Sequence, residues 1–229
     1  MSLHLSTAAA TLRVGGLTPL TTIDFPGRLA AVVFLQGCPW RCSYCHNPGL
    51  LPADAPTVQS WGAVLAFLQR RRGLLDGVVF SGGEPTLQAA LPAAIAEVRS
   101  LGFAIGLHSA GIYPERLAAV LPLIDWLGLD IKAPLDRIDA ISGVPGSSAK
   151  VQTALRLVLS SGVAHECRTT WHPSLYPQHE LLLLARKLAA LGVRHWAVQR
   201  ANINGMAAAS LTSAEVSDIS ALFESFCQR

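Results

Sequence analysis

Charge is scarce in this chain. Asp, Glu, Lys and Arg together make up 14% of its residues, against a usual share of about a quarter, and lysine occurs only as Lys132, Lys150 and Lys187. The net charge is a weak +3 and the longest basic run is Arg70-Arg71-Arg72. That pattern lacks the electropositive stripe of a nucleic-acid binder; the triplet reads as the solvated C-terminal end of a helix, where the dipole favours cations. No stretch approaches the ~18 uninterrupted apolar residues of a membrane span. The start, Met1-Ser2-Leu3-His4, lacks the charged and apolar regions of a secretory signal. There are 5 cysteines, too clustered for a disulfide framework, so the expectation is a reducing cytoplasm. Internal repeats, low-complexity segments and a dinucleotide-type glycine fingerprint after the first strand are also missing. Apolar residues are what the chain has in quantity, at 51%, which provides for a substantial core and argues against disorder.

The apolar residues fall into a repeated strand-then-helix alternation. Near-continuous apolar or β-branched runs predict strands over Arg28–Gln36, Asp76–Ser81, Phe103–His108, Ile124–Ile131, Ala164–Thr170 and Arg194–Arg200. Helical periodicity predicts helices over Thr57–Arg72 with Thr57 as N-cap, Thr86–Leu101, Pro114–Leu121, Lys150–Ser161 and Gln178–Leu191. Gly102, Gly162 and Gly192 stand where three of these end. A last helix begins at the capping box Thr212-Ser213-Ala214-Glu215 and is expected to run toward Cys227. The alternation predicts an α/β fold with a parallel sheet covered by helices. Six units without a dinucleotide fingerprint fit a partial (β/α)6 TIM-like barrel better than a doubly wound sheet. The expected organisation is an N-terminal extension over 1–16, loose at Ser6–Ala10, and one core domain over 17–229.

Barrels of this kind carry their chemistry at the C-terminal strand ends, and the unusual polar groups gather there. A cysteine loop follows the first strand, Gly82-Gly83-Glu84 the second and His108-Ser109 the third. Asp130-Ile131-Lys132 closes the fourth, Arg168 lies late in the fifth, and Gln199 ends the sixth.

The cysteine loop carries the most information. In GCPWRCSYCHN, Cys38, Cys42 and Cys45 have the spacing CxxxCxxC, with Gly37, Pro39 and Pro48 bending the backbone. Three thiolates on one loop suit one metal centre. A four-iron cluster takes four ligands, so three cysteines leave one iron open to bind and activate a substrate. A zinc site would need His46 as its fourth ligand. Cys167 and Cys227 stand alone and read as small buried apolar residues.

CxxxCxxC with an aromatic before the last cysteine, followed after the next strand by Gly82-Gly83-Glu84-Pro85, resembles the radical S-adenosylmethionine (radical SAM) superfamily. Within it, three stretches resemble the glycyl-radical-enzyme activases: Leu20–Leu51, Val78–Gln88 and Leu127–Arg137. The likeness is greatest to activases of anaerobic ribonucleoside-triphosphate reductase and more distant to that of pyruvate formate-lyase. It runs from about Leu17 to Gln199.

The resemblance implies a [4Fe-4S] cluster on Cys38, Cys42 and Cys45, with S-adenosylmethionine on the open iron. It implies reductive cleavage to a 5′-deoxyadenosyl radical and abstraction of a glycine Cα hydrogen in a partner glycyl radical enzyme, with flavodoxin or ferredoxin as electron donor. Tyr44 stands where the family places an aromatic against adenine, and His46 follows the motif. Gly82 and Gly83 would let backbone approach the methionyl amine, and Glu84 would hold the loop or accept from that amine. Asp130 and Lys132 share a strand face and match a pattern serving the ribose hydroxyls and the carboxylate. Arg168 is placed for the carboxylate or a partner. Asp24 and Arg28, in TIDFPGR, resemble a loop beside the cluster. Where the family reads Asp-Thr-Asn-Gly, this chain has His108-Ser109-Ala110-Gly111, so a monovalent cation site is in doubt and His108 would bond the methionyl end or fill space. His172 is a further candidate, though a lone histidine is more often structural. Two alternatives stand: a small-molecule enzyme of the 7-carboxy-7-deazaguanine synthase type, and a non-catalytic iron–sulfur or zinc module.

Overall fold

Four strands open the chain's first compact unit, β1 (Val14–Thr21), β2 (Ala30–Leu35), β3 (Gly77–Gly82) and β4 (Ala104–Ser109), hydrogen-bonded in that order. They belong to a computed structural model that describes residues 7–203 and 205–229; the first residues of the expected extension lie outside that range. β2, β3 and β4 run parallel, with Ala30 opposite Gly77 and Gly77 opposite Ala104. Every residue of β2 but Phe34 is buried, as a parallel strand covered on both faces requires. The crossovers are α1 (Trp61–Gln69) and α2 (Leu91–Ser100), and α3 (Pro114–Val120) follows β4.

β1 corrects the expected extension. It pairs antiparallel with β2, from Val14 opposite Leu35 to Thr21 opposite Ala30. Ahead of it Ala9–Thr11 forms a 3-10 turn that buries Ala9. Two glycines and Pro19 disguise β1, yet proline is tolerated on an edge strand. Helix starts also shift. Ser60, not Thr57, caps α1 by accepting from the Ala63 amide. Over Pro85–Leu87 the chain makes a 3-10 turn before α2 begins at Leu91. Between β1 and β2, Phe25 packs in a cluster with Ala30, Val32, Val79 and Trp126. That loop, which carries Asp24 and Arg28, leads into the N-terminal end of β2, and within it the Asp24 backbone carbonyl folds back to lie 3.0 Å from Nε2 of His108.

β5 (Trp126–Asp130) begins in the first unit and ends in the second, which comprises residues 40–46, 110–114 and 128–229. In the second unit the Ile131 amide donates to the Arg168 carbonyl of β6 (Ala164–Trp171) at 2.7 Å. β6 pairs in parallel with β7 (His195–Arg200). A small hairpin follows, β8 (Asn202–Ile203) with β9 (Met206–Ala207), and then β10 (Ser225–Gln228), parallel to β7. The helices are α4 (Ile138–Ser142), α5 (Ser147–Ser161), α6 (Gln178–Ala190) and α7 (Ser213–Ser220). α5 starts three residues earlier than the expected Lys150 because Asp139, at the start of α4, accepts from the Gly146 amide at 2.7 Å and the Ser148 amide at 2.6 Å. Those bonds hold its carboxyl below the ordinary range.

The last helix does not reach Cys227. Its capping box forms, but the chain leaves α7 after Ser220. Phe223 and Phe226 set their rings 5.4 and 5.6 Å from that of Trp196, and ladder bonding to β7 makes the remainder a strand. Cys227 is exposed there, against expectation, while Cys167 is buried. The α/β class with a mostly parallel sheet is as the alternation predicted. No helix among the described residues is long and apolar enough to cross a membrane.

Candidate functional site

In the first unit the chemistry-bearing residues follow consecutive strands. After β2, the Gly37 and Cys38 amides donate to the Leu50 and Leu51 carbonyls at 2.8 and 3.0 Å, so the far limb of the cysteine loop folds back on the near one. After β3, the Glu84 amide donates to the Gly37 carbonyl at 2.9 Å. This crossing is why two glycines precede Glu84. A Cβ on Gly83 would stand 2.2 Å from the Gly37 carbonyl oxygen, and one on Gly82, whose φ is +115°, 2.3 Å from the Leu35 nitrogen. The glycines are required by the chain's own backbone.

Glu84 is fully buried. Its Oε1 accepts from the Thr86 amide at 3.0 Å, the Thr86 hydroxyl at 2.5 Å and the Ser109 hydroxyl at 2.9 Å. A buried carboxylate with three donors is strongly oriented, so Glu84 ties the β3 loop to the end of β4. His108 is also anchored. Its Nδ1 lies 3.2 Å from the Ser81 hydroxyl and its Nε2 3.0 Å from the Asp24 carbonyl oxygen. Its ring meets that of Trp126 edge-on at 5.7 Å. Asp24 accepts from the Thr21 hydroxyl at 2.6 Å, and the Arg28 guanidinium lies over Phe25 at 5.1 Å. Both shape the inserted loop.

In the second unit Cys42, Tyr44 and Cys45 meet Asp130 and Lys132. The Cys45 amide donates to the Cys42 carbonyl at 3.1 Å, closing a turn, and the Arg41 amide donates to the last carbonyl of α4, Ser142, at 2.8 Å. Lys132 Nζ lies 2.9 Å from Asp130 Oδ2 and 5.9 Å from the Tyr44 ring centroid. Burial works against the Lys132 ammonium, but Asp130, Tyr44 and Cys42 together outweigh it and hold the pKa well above the ordinary value. Burial pushes the Cys42 thiol up; Cys45 and Asp130 add to this and Lys132 opposes it. Tyr44 is raised mainly by burial. Its hydroxyl, like that of Tyr176, is buried without a hydrogen-bond partner.

The other candidates have neighbours of their own. His46 is exposed, 6.3 Å from the Tyr44 ring. Arg168 is buried and donates from Nε to Glu166 at 2.9 Å, and Glu166 also takes Arg229. His172 is buried, with Nδ1 2.7 Å from the Ser174 hydroxyl and 3.1 Å from its amide, closing a turn. Burial raises Cys167 to about 12, which suits a core thiol. Sequence reasoning missed Thr86 as a Glu84 donor and missed Tyr176. Thr86 was legible in principle, as a hydroxyl two residues past the glutamate. Tyr176 was not, because nothing local shows that its hydroxyl is buried.

Among the described residues no group of three or more His, Cys, Asp or Glu already forms a metal cage. The fit to an iron–sulfur cluster rests on donor chemistry: three half-buried thiols on one loop, none of them in a disulfide, with the Lys132 ammonium favouring the thiolate form of Cys42.

Comparison with known proteins matches the pattern of the Radical SAM superfamily to residues 32–173. A protein of Methanocaldococcus jannaschii named as a glycyl-radical enzyme activating enzyme is 29% identical over 182 residues, 76% of this chain and 74% of its own. The pyruvate formate-lyase-activating enzyme of Clostridium pasteurianum is 34% identical over 132 residues, 52% of each chain. A 7-carboxy-7-deazaguanine synthase of Thermococcus kodakarensis is 30% identical over 128 residues, 46% of this chain and 50% of its own. The chain thus spans about three quarters of the first relative and about half of the other two. Among solved structures, a radical SAM methyltransferase from Sphaerobacter thermophilus superposes with a TM-score of 0.65 at 16% identity, over 92% of this chain and 68% of the other. That is a likeness of fold. With 142 of its 229 residues inside the matched pattern (32 to 173 inclusive), the chain belongs to the radical SAM superfamily.

Proposed function

We propose that this radical SAM enzyme activates a glycyl radical enzyme, abstracting a hydrogen from the Cα of one glycine in its partner. The observation that carries the reading is the similarity to the M. jannaschii protein along three quarters of both chains. Radical SAM enzymes use a [4Fe-4S] cluster and S-adenosylmethionine, which together supply a 5′-deoxyadenosyl radical by one-electron cleavage of a sulfonium carbon–sulfur bond.

The chain's residues supply position and shelter. Cys38, Cys42 and Cys45 hold iron. Tyr44 offers an aromatic face to adenine, and the Lys132–Asp130 pair presents one charge of each sign to the carboxylate and ribose hydroxyls. Gly82, Gly83 and Glu84 form the rigid edge for the methionyl amine. Because both ring nitrogens of His108 face groups within 3.2 Å, His108 fills space and anchors the inserted loop rather than serving a cation. Arg168, already paired to Glu166, orients that wall of the site. The partner class we favour is anaerobic ribonucleoside-triphosphate reductase, with a flavodoxin or ferredoxin as donor. The few cysteines, three of them clustered on one loop, suit a cytoplasmic setting.

The second reading, a small-molecule enzyme of the 7-carboxy-7-deazaguanine synthase type, draws on the Thermococcus relative. The discriminating test uses protein reconstituted with iron and sulfide without oxygen, reduced, and given S-adenosylmethionine. 5′-Deoxyadenosine should form and should be lost in Cys42→Ala. Adding a glycyl radical enzyme should leave a glycyl radical on it. Turnover of a deazaguanine precursor instead would move the assignment to the second reading.

A further inference from the structure

Two glutamines that no motif singles out hold the returning limb of the cysteine loop. Gln36 follows β2 and is 3% exposed. Its side-chain Nε2 donates to the Gly49 carbonyl at 3.0 Å and to the Pro52 carbonyl at 2.7 Å. Gln88 lies just past the Gly-Gly-Glu-Pro turn. It donates to the Gln36 carbonyl at 3.0 Å and the Arg13 carbonyl at 2.9 Å, and its Oε1 accepts from the Arg13 amide at 2.8 Å. Arg13 in turn donates to the Ala55 carbonyl. The segment gripped at both ends, Gly49 to Ala55, contains Leu50 and Leu51, the acceptors for Gly37 and Cys38.

We propose that Gln36 and Gln88 are positioning residues for the iron–sulfur cluster: a side-chain amide relay that links the Glu84 turn to the loop and presets Cys38 for its iron. The proposal rests on Cys38 being a cluster ligand and adds to it the residues that place the ligand. The chemistry favours amides over any substitute. The Gly49 and Pro52 carbonyls lie on the irregular returning limb of the loop, outside any strand, and the Gln36 side-chain amide donates to both. A neutral amide gives two N–H groups without putting a charge beside the cluster. Gly15 packs against the same limb: a Cβ there would lie 2.3 Å from Leu50 Cδ2 and 2.6 Å from Gln36 Oε1.

Gln36→Glu is the sharp variant. It keeps size and shape, removes both donors and sets a carboxylate against two carbonyls. Gln88→Leu breaks the other link. A control, Val98→Ala in α2, removes a fully buried side chain far along the chain from the loop and lowers stability without touching the relay. Two readouts are compared at matched distance below each variant's melting temperature: the rate at which a chelator strips iron from reconstituted protein, and amide hydrogen exchange of the 47–55 peptide in the apoprotein.

Both glutamine variants should lose iron and exchange that peptide about ten-fold faster than wild type, the size expected for losing two or three side-chain hydrogen bonds. Val98→Ala should do neither. If the glutamine variants behave as the control does, the relay is ordinary packing and the proposal falls. If Gln36→Glu does not fold, Gln88→Leu decides alone. Neither readout uses a partner enzyme, so failure here is separable from failure of the activase assignment.

Discussion

Replacing Gly83 with alanine tests why the Gly-Gly-Glu turn needs glycine. The added methyl would stand 2.2 Å from the Gly37 carbonyl oxygen and 3.1 Å from that of Leu50. Both are backbone atoms, and no side-chain rotation relieves the overlap. Gly37 has to move by nearly 1 Å to reach ordinary contact, which strains the hydrogen bond from the Glu84 amide and carries Cys38 along. Overpacking of this kind costs about 1–3 kcal/mol, and the weakened hydrogen bond adds about 1 kcal/mol. A loss of about 2–4 kcal/mol corresponds to a fall in melting temperature of about 5–15 °C for a chain of this length. The assay is thermal and urea unfolding of anaerobically prepared protein beside Gly16→Ala. At Gly16 a Cβ meets nothing closer than 3.7 Å, so that control should be within about 0.5 kcal/mol of wild type. Equal stability of the two variants would refute the steric account and return the glycines to a purely cofactor-facing role.

Three further outcomes are expected. Glu84→Gln replaces a buried carboxylate that takes three donors and should cost about 2 kcal/mol; an unchanged urea midpoint would contradict its role as a tie. Lys132→Met removes the ammonium shared by Asp130 and Tyr44; it should destabilise by about 1–3 kcal/mol, since Asp130 loses a charged partner in a largely buried pair, while weakening S-adenosylmethionine binding about ten-fold in calorimetry, and unaltered binding would contradict the placement of the methionyl end. Glu215 is held below its ordinary 4.5 by the Thr212 amide and hydroxyl, so its stabilisation of α7 is present above that value and lost as pH falls through the lowered one. Exchange protection of α7, corrected for intrinsic rates, should therefore drop between pH 5 and pH 3, each about a unit either side of the carboxylate range, and Thr212→Ala should abolish that dependence.

The parts of the fold that announce themselves locally were legible in the sequence. Parallel strands such as Val78–Phe80 are apolar throughout because both faces are covered, and the Thr212 capping box formed as its spacing required. What escaped notice depended on distant partners. β1 reads as loop because two glycines and a proline sit in it, and β2 alone makes it a strand. β10 continues a helical pattern until Trp196 offers its ring to Phe223 and Phe226. The start of α5 was displaced by a carboxylate on α4. In the site, spacing marked the cysteines, Glu84, Asp130 and Lys132. It gave no sign that Arg168 is engaged by Glu166, or that His108 reaches back to Asp24 across 84 positions of sequence.

The central claim is that this radical SAM enzyme makes a glycyl radical. The direct measurement is electron paramagnetic resonance on a glycyl radical enzyme mixed, without oxygen, with the reconstituted and reduced protein and S-adenosylmethionine. A doublet from the glycine α-hydrogen is expected, absent with Cys42→Ala and collapsed to a single line when the partner carries α-deuterated glycine. Formation of 5′-deoxyadenosine with no radical on any glycyl radical partner, the anaerobic ribonucleotide reductase included, would contradict it.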